Sequence, residues 1–322
     1  MEIGKYEIVP CEAGYVDSCV AMAMEKGSIL QAHHRAVLGD ALWDSACGGW
    51  EEALDTSLRE QLGGDNAFVL LENGAIAGFG SCKTGGKVGT FGICHGKNTQ
   101  VLEALYGFLL ARMKESGALC AAAEWEDFPG SEAVKTALEK VGFQKGLPHV
   151  RYYQTLKPRP ELPETDLQIV RSCEAYGEDC ANIALKLWTV IHGAYAGLIG
   201  DDIHDITGEN WQGTLRNNIS NQQRLPTSLV ALLDGMVVGF CGCRVERGKL
   251  GVIGYNGVDP EYRGRGIARY LYEAAFDQFR EQGISHARVF TGGDDGHGPA
   301  RRAYEKAGFD KKLLSVTYYK AL

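Results

Sequence analysis

The chain is written twice, and that repetition limits its possible folds more than any other feature. "RYYQTL" at Arg151–Leu156 returns as "TYYKAL" at Thr317–Leu322, an offset of 317 − 151 = 166 residues. "ALEKVGF", ending at Phe143, returns at the same offset as "AYEKAGF", ending at Phe309, and Gly117 and Gly283 keep it too. Upstream, "ENGAIAGFGSCK" resembles "LDGMVVGFCGCR" at an offset of 239 − 78 = 161, and "YEIVP" aligns with "LQIVR" at that same offset. A collinear series at nearly constant offset marks a duplication. The change from 161 to 166 implies a gain of about five residues in the second copy, around one strand and the loop after it.

Each copy reads as strand, helical region, hairpin, strand, helix, strand, helix, strand. The dipeptides Asn73-Gly74 and Asp234-Gly235 favour the positive dihedrals of tight hairpin turns. Apolar stripes run over Val101–Glu115 and Ile267–Glu281, each stopping near a glycine that caps the helix. The fold class is therefore α/β and duplicated. Residues 1–156 are expected to form one domain and 167–322 another, joined by "KPRPELPETD" at 157–166, whose prolines suit a stiff connector. A length of 322 residues also favours two domains over one core.

Composition narrows the function classes. A hydrophobic content of 45% with 23% charged residues is that of a soluble globular protein, and no apolar run is long enough to span a membrane. The N-terminus lacks a basic region followed by a hydrophobic one, so no signal peptide is read and a cytoplasmic location is expected. Ten cysteines, none spaced C-x-x-C, suggest free thiols in a reducing compartment. Cys241 and Cys243 share a strand face as buried thiols, Cys94-His95 forms no ligand pattern, and no metal site is expected. A net charge of −8 argues against nucleic acid as a partner and leans weakly toward a cationic substrate. Oligomeric state is not legible.

The stretch "YNGVDPEYRGRGIARYLYEAAF" carries the chemistry. A strand-like run to Val258 meets a turn with Arg263, Gly264, Arg265 and Gly266, and a helix with Ile267, Leu271, Ala275 and Phe279 begins at once. Helix N-termini leave amides without intrahelical partners and carry partial positive charge. Glycines there admit a bulky anion, and arginines add charge-assisted hydrogen bonds, so the turn reads as a diphosphate cradle. Its bland alternative is a solvated turn. A dinucleotide fingerprint is ruled out, because the strand at His286–Gly293 lacks the required acid.

These residues resemble the GNAT superfamily of N-acetyltransferases. Its Q/R-x-x-G-x-G/A signature is matched by Arg263, Gly266 and Ala268, and its second motif, Y-E-K-x-G-F, by Tyr304, Glu305, Lys306, Gly308 and Phe309. The resemblance covers Leu167–Leu322 and extends to the first half through the repeat. It implies two tandem GNAT-like domains, each with a mixed, mostly antiparallel sheet flanked by helices. It further implies acetyl transfer from acetyl-CoA, with the diphosphate held by Arg263, Gly264, Arg265, Gly266, Ile267 and Ala268. Pantetheine would lie along Asn256, Gly257 and Val258. Tyr304 stands where the family often has a tyrosine facing the leaving thiolate, against the plainer role of core packing. His297 departs from the family's usual Asn.

The first copy departs where the chemistry lies. Subtracting 166 from Arg263, Gly266 and Ala268 gives Lys97, Gln100 and Leu102, and Tyr304 falls on Leu138. The first half is thus expected to be a scaffold that helps shape the acceptor pocket. Candidate bases for deprotonating an acceptor are Trp188, His192, Tyr195, Asp201, Asp202, His204 and Asp205 in the second copy's helical region, where "GAYAGLIGDDIHDITGENW" resembles either a mobile lid over a pocket or a solvated loop with a helix cap. His33 and His34 are weaker candidates, and Tyr255 could face pocket or core. The leading reading is N-acetylation of a small primary amine. The alternatives are another acyl group or a hydroxyl acceptor, or an acyl-CoA-binding sensor without turnover.

Overall fold

The computed structural model of the protein describes residues 2–322. The first repeat comprises β1 (Glu2–Ile3), β2 (Tyr6–Pro10), α1 (Ala13–Leu38), α2 (Asp40–Cys47), α3 (Trp50–Leu62), β3 (Ala67–Glu72) and β4 (Ala75–Lys83). It continues with β5 (Val88–Gly96), α4 (Thr99–Glu115), β6 (Cys120–Glu126), α5 (Glu132–Lys140) and β7 (Gln144–Thr155). The second contains β8 (Gln168–Arg171), α6 (Gly177–Ile199), α7 (Asp201–Thr207), α8 (Trp211–Gln223), β9 (Leu229–Leu233) and β10 (Met236–Glu246). It ends with β11 (Leu250–Val258), α9 (Ile267–Glu281), β12 (His286–Gly292), α10 (Gly298–Lys306) and β13 (Lys311–Ala321). Apart from the short β1, each copy has the expected element order. Both hairpin dipeptides adopt left-handed backbone, with φ of 55° and 78° at Asn73-Gly74 and 50° and 78° at Asp234-Gly235.

The two repeats share one 13-stranded sheet, in the order β1-β2-β3-β4-β5-β6-β13-β7-β12-β11-β10-β9-β8. Pairing is antiparallel except for β5 with β6 and β11 with β12. The order shows an exchange: β7 pairs with β12 of the second repeat, and β13 pairs with β6 of the first. The two exchanged strands then pair with each other at the centre.

The exchange also swaps core residues. Tyr152 on β7 is buried with Tyr272, Phe276 and Tyr304 in the second repeat's core. Its counterpart Tyr318 on β13 is buried with Leu102, Leu105 and Phe143 in the first. The connector at 157–166 has no regular structure and lies along α9, where Arg159 pairs with Asp277 at 2.7 Å and Tyr270 donates to the Pro163 carbonyl at 2.9 Å. Among the described residues no helix is long and apolar enough to cross a membrane.

Since each core is completed by the other repeat's last strand, fragments 1–156 and 157–322 are expected to be unstable apart and to regain native circular dichroism when refolded together. Tyr152→Ala should cost about 3–5 kcal/mol in urea denaturation of the full chain, with a single transition retained. Two independently folding fragments would contradict this account.

Candidate active site

The central cleft arises where β11 and β12 part. They pair at Gly251↔Ala287, Val252↔Arg288 and Ile253↔Val289 and no further. On its other side β11 stays with β10 through a bulge, Cys241 facing Asn256 and Cys243 facing Ile253. Gln222, from α8, sits in that bulge. Its Oε1 accepts from the Tyr255 amide at 2.9 Å and its Nε2 donates to the Tyr255 carbonyl at 2.8 Å. A Cβ on Gly242 or Gly254 would collide with the Gln222 carboxamide, so the glutamine needs both glycines. A bulge bends its strand and increases local twist. Here it turns β11 away from β12 and frees the edge at Asn256–Val258.

The first repeat has the same device. Gln61, 222 − 61 = 161 positions earlier, accepts from the Ile93 amide at 2.7 Å, and β4 and β5 shift register between Gly80 and Cys82. Sequence reading missed this pair of glutamines, although the repeat offset was a usable signal.

A cavity of about 1380 Å³ occupies the fork of the second repeat. Its lining includes Asn256, Gly257, Val258, Arg263, Gly264, Gly266, Ile267, Ala268 and Tyr304, and thus brings together nearly all the residues singled out from sequence. Arg265 differs: its guanidinium lies over the Tyr262 ring, 5.3 Å from the centroid, outside the lining. The amides of Gly264 through Ala268 make no hydrogen bond among the described residues. Gly264 and Gly266 hold φ of 80° and 77°, which presents successive amides on one side and which L side chains resist. Arg269, Arg302 and Lys306 also line the cavity. Upstream, Asp259 is held below the usual carboxylate range. Burial works against this, but the Lys186 ammonium at 2.7 Å and the Glu261 amide overcome it.

At the fork, the Asn256 carboxamide links two phenols. Tyr272 donates to its Oδ1 at 2.7 Å, and the Tyr304 hydroxyl lies 3.2 Å from Oδ1 and 3.0 Å from Nδ2. Burial pushes the Tyr304 phenol up to about 12 and raises Tyr272 well above its ordinary value. Tyr304 therefore stays protonated through the neutral range.

The equivalent place in the first repeat is closed. Asn98 caps α4 by accepting from the Val101 amide at 3.0 Å, Lys97 pairs with Glu72, and Leu138 is buried in the core. A side chain already satisfies an amide that an anion would otherwise take.

Across the fork, the segment read as a mobile lid is helical. α6 runs to Ile199, α7 follows, and Gly200 (φ 82°) and Asn210 (φ 53°) supply the breaks between helices. Its glycines and acids serve as helix caps and exposed helix faces. Trp188, Tyr195 and Tyr255 line the cavity. His192 instead stacks on Trp211 at 4.1 Å and neighbours His204, neither histidine lining the cavity, and Asp201, Asp202 and Asp205 are exposed on α7. His34 is buried against Glu126, and His33 is half-buried beside it.

Two features were not foreseen. His297 lines the cavity with Nδ1 2.7 Å from Asp294 Oδ2, and its ring stacks 6.2 Å from Tyr195. A Cβ on Gly292 would collide with both the His297 ring and the Asp294 carboxylate, so the strand end is shaped around the pair. The exchanged strand β7 also contributes His149 and Arg151 to the lining, which no pattern within the second repeat could show.

Residues 199–309 match the Acetyltransferase (GNAT) family. The mycothiol acetyltransferase of Thermomonospora curvata is 31% identical over 85 residues, 26% of this chain and 28% of that protein. That of Gordonia bronchialis is 26% identical over 201 residues, 60% of each. The matches thus span less than two thirds of these relatives' lengths. A GCN5-related N-acetyltransferase from Sphaerobacter thermophilus shares the fold over 100% of this chain and 97% of its own, with a TM-score of 0.57 and 18% identity. A tandem GNAT protein from the clavulanic acid biosynthesis pathway does so over 98% of both chains, with a TM-score of 0.58 and 12% identity. The family match thus lies in the second half of the chain, and the fold shared with these two structures runs along its whole length.

Proposed function

We propose that the protein transfers an acetyl group from acetyl-CoA to a primary amine of a small molecule, in the second repeat only. The observation that carries this reading is the union, in one cavity, of a free strand edge, an amide-rich helix start and a buried phenol. Acetyl-CoA, when bound, supplies the thioester carbon that the amine attacks. The amides of Gly264–Ala268, with Arg263 and Arg269, would hold its diphosphate, and the edge at Asn256–Val258 would hold its amide-bearing arm. An amide of that edge aimed at the carbonyl oxygen would stabilise developing negative charge.

Tyr304 donates a hydrogen bond, and then its proton, at the sulfur. Its high pKa does not oppose this, because the same burial raises the basicity of a departing thiolate. His297 takes the proton from the acceptor nitrogen at Nε2, while Asp294 fixes its tautomer through Nδ1.

Tyr304→Phe is expected to lower kcat by roughly 10²–10⁴ with little change in acetyl-CoA affinity or melting temperature. Because Tyr304 is raised to about 12, the wild-type rate should show no alkaline limb from this group below about pH 11. His297→Gln should lower kcat by roughly 10²–10⁴ while leaving acetyl-CoA affinity unchanged. Wild-type turnover in Tyr304→Phe, with chemistry rate-limiting, would refute the assignment.

Calorimetry should give one acetyl-CoA per chain. Gly266→Glu should abolish that binding and, because φ is 77°, also cost about 1–2 kcal/mol of stability. Gly283→Ala, at φ 73° beyond the far end of α9, carries the same strain and should bind normally. Two equivalent sites, or equal loss of binding in both variants, would remove the cradle from the mechanism.

A further inference from the structure

Three arginines line the cavity away from the cradle: Arg244 on β10, Arg288 on β12 and Arg151 on β7. Arg244 and Arg288 both face Val252, and Arg151 faces Phe290, two residues beyond Arg288. Alternation along the strands sends Val289, Ile253, Val150 and Tyr152 into the core, so these arginines project from the opposite face. Arg244 and Arg288 lie one step below the last β11–β12 pair and Arg151 one step beyond it, at the base of the fork. From Val252 to Val258 is six residues of strand, about 20 Å, so this cluster is separate from the cations around the cradle.

Their counter-charges fall short. Glu246 accepts from Arg244 Nη2 at 2.7 Å on Oε1 and from Arg288 Nη2 at 2.7 Å on Oε2. Glu126 pairs with Arg151 through one oxygen and with His34 through the other. In direct ion pairs three guanidinium groups share two carboxylates, each already used on both oxygens, and the exposed Glu124 acts on Arg151 without an ion pair to it. The Arg151 and Arg288 side chains are only 26% and 28% exposed, which makes an excess charge costly unless a ligand neutralises it. Asp295 is the one acidic residue in the cavity lining.

We infer that the acceptor is an amine that also carries an anionic group, carboxylate or phosphate, and that Arg151, Arg244 and Arg288 form its subsite. This rests on reading the cavity as the acetyl-transfer site. The anion is anchored on the arginines, and its amino group is left facing the fork between His297 and Tyr304. The net charge of −8 leaned toward a cationic substrate, and the local field reverses that lean.

The test uses the full chain saturated with CoA for calorimetric binding, and with acetyl-CoA for thiol-release kinetics. The probes are matched pairs: phenylalanine against phenylalaninamide, and phosphoethanolamine against ethanolamine. The anionic member of at least one pair should show a Kd and KM lower by roughly ten- to a hundredfold, the worth of a charge-assisted hydrogen bond. The pair with the larger ratio identifies carboxylate or phosphate. Arg288→Gln and Arg151→Gln should collapse that ratio. Arg288→Lys, which keeps the charge for Glu246, should retain part of it, and Arg224→Gln, at an exposed residue paired with Glu174 and outside the cavity lining, should retain all of it. Neutral members binding equally well or better, or a preference surviving in both glutamine variants, would overturn the subsite. Anion-selective binding without thiol release from any amine would instead refute acetyl transfer and leave the subsite standing.

Discussion

The exchange of β7 and β13 is the constraint on which the rest of the molecule depends. Two antiparallel strands, each the last of its own repeat, pair at the centre of the sheet and carry their tyrosines into opposite cores. Burial of an aromatic side chain contributes several kcal/mol, so neither core reaches native density without its partner's strand. The exchange has a functional side as well. It places His149 and Arg151, which belong to the first repeat, in the cavity of the second. The first repeat thus contributes to the site although its own loop is closed.

The fork depends on a smaller interaction. A glutamine side chain in a β-bulge satisfies the amide and carbonyl of Tyr255, two groups that the bulge removes from the ladder. Without it the strand would either recover regular pairing, closing the cleft, or leave buried polar groups unpaired at about 1–3 kcal/mol each. Gln61 repeats the arrangement, so the bulge predates the divergence of the copies. What separates the two repeats lies one loop later. Asn98 caps its helix with its own side chain, whereas Gly264 and Gly266 leave the corresponding amides unsatisfied. An unsatisfied helix start in a polar cavity is held open at a cost in stability.

Charge follows the same division between surface and site. The chain is acidic overall, yet the fork cavity is lined by arginines at both ends, near the start of α9 and at the base of the fork. Low-dielectric walls strengthen such local fields, so the bulk charge says little about what enters.

The sequence by itself determined the duplication, the element order, the hairpin turns and the arginine–glycine turn at the start of α9. All of these are local: turn dihedrals, apolar periodicity and helix starts depend on residues within a few positions of each other, and the repeat offset is a property of the string. It also singled out Tyr304, which lines the cavity, and Leu138 at its place in the first copy, which is buried in the core, because both lie within short motifs. The helices of the lid-like segment were not legible, because glycine and acid content alone does not separate a loop from helices broken at Gly200 and Asn210. The strand exchange, the Gln222 plug, the His297–Asp294 pair and the arginine cluster were decided only by tertiary structure. Each depends on which strand lies beside which, and equivalent strands in a duplicated chain carry nearly the same pattern. Tyr152 and Tyr318 would satisfy either core by type, so the choice between them rests on the packing of the whole sheet.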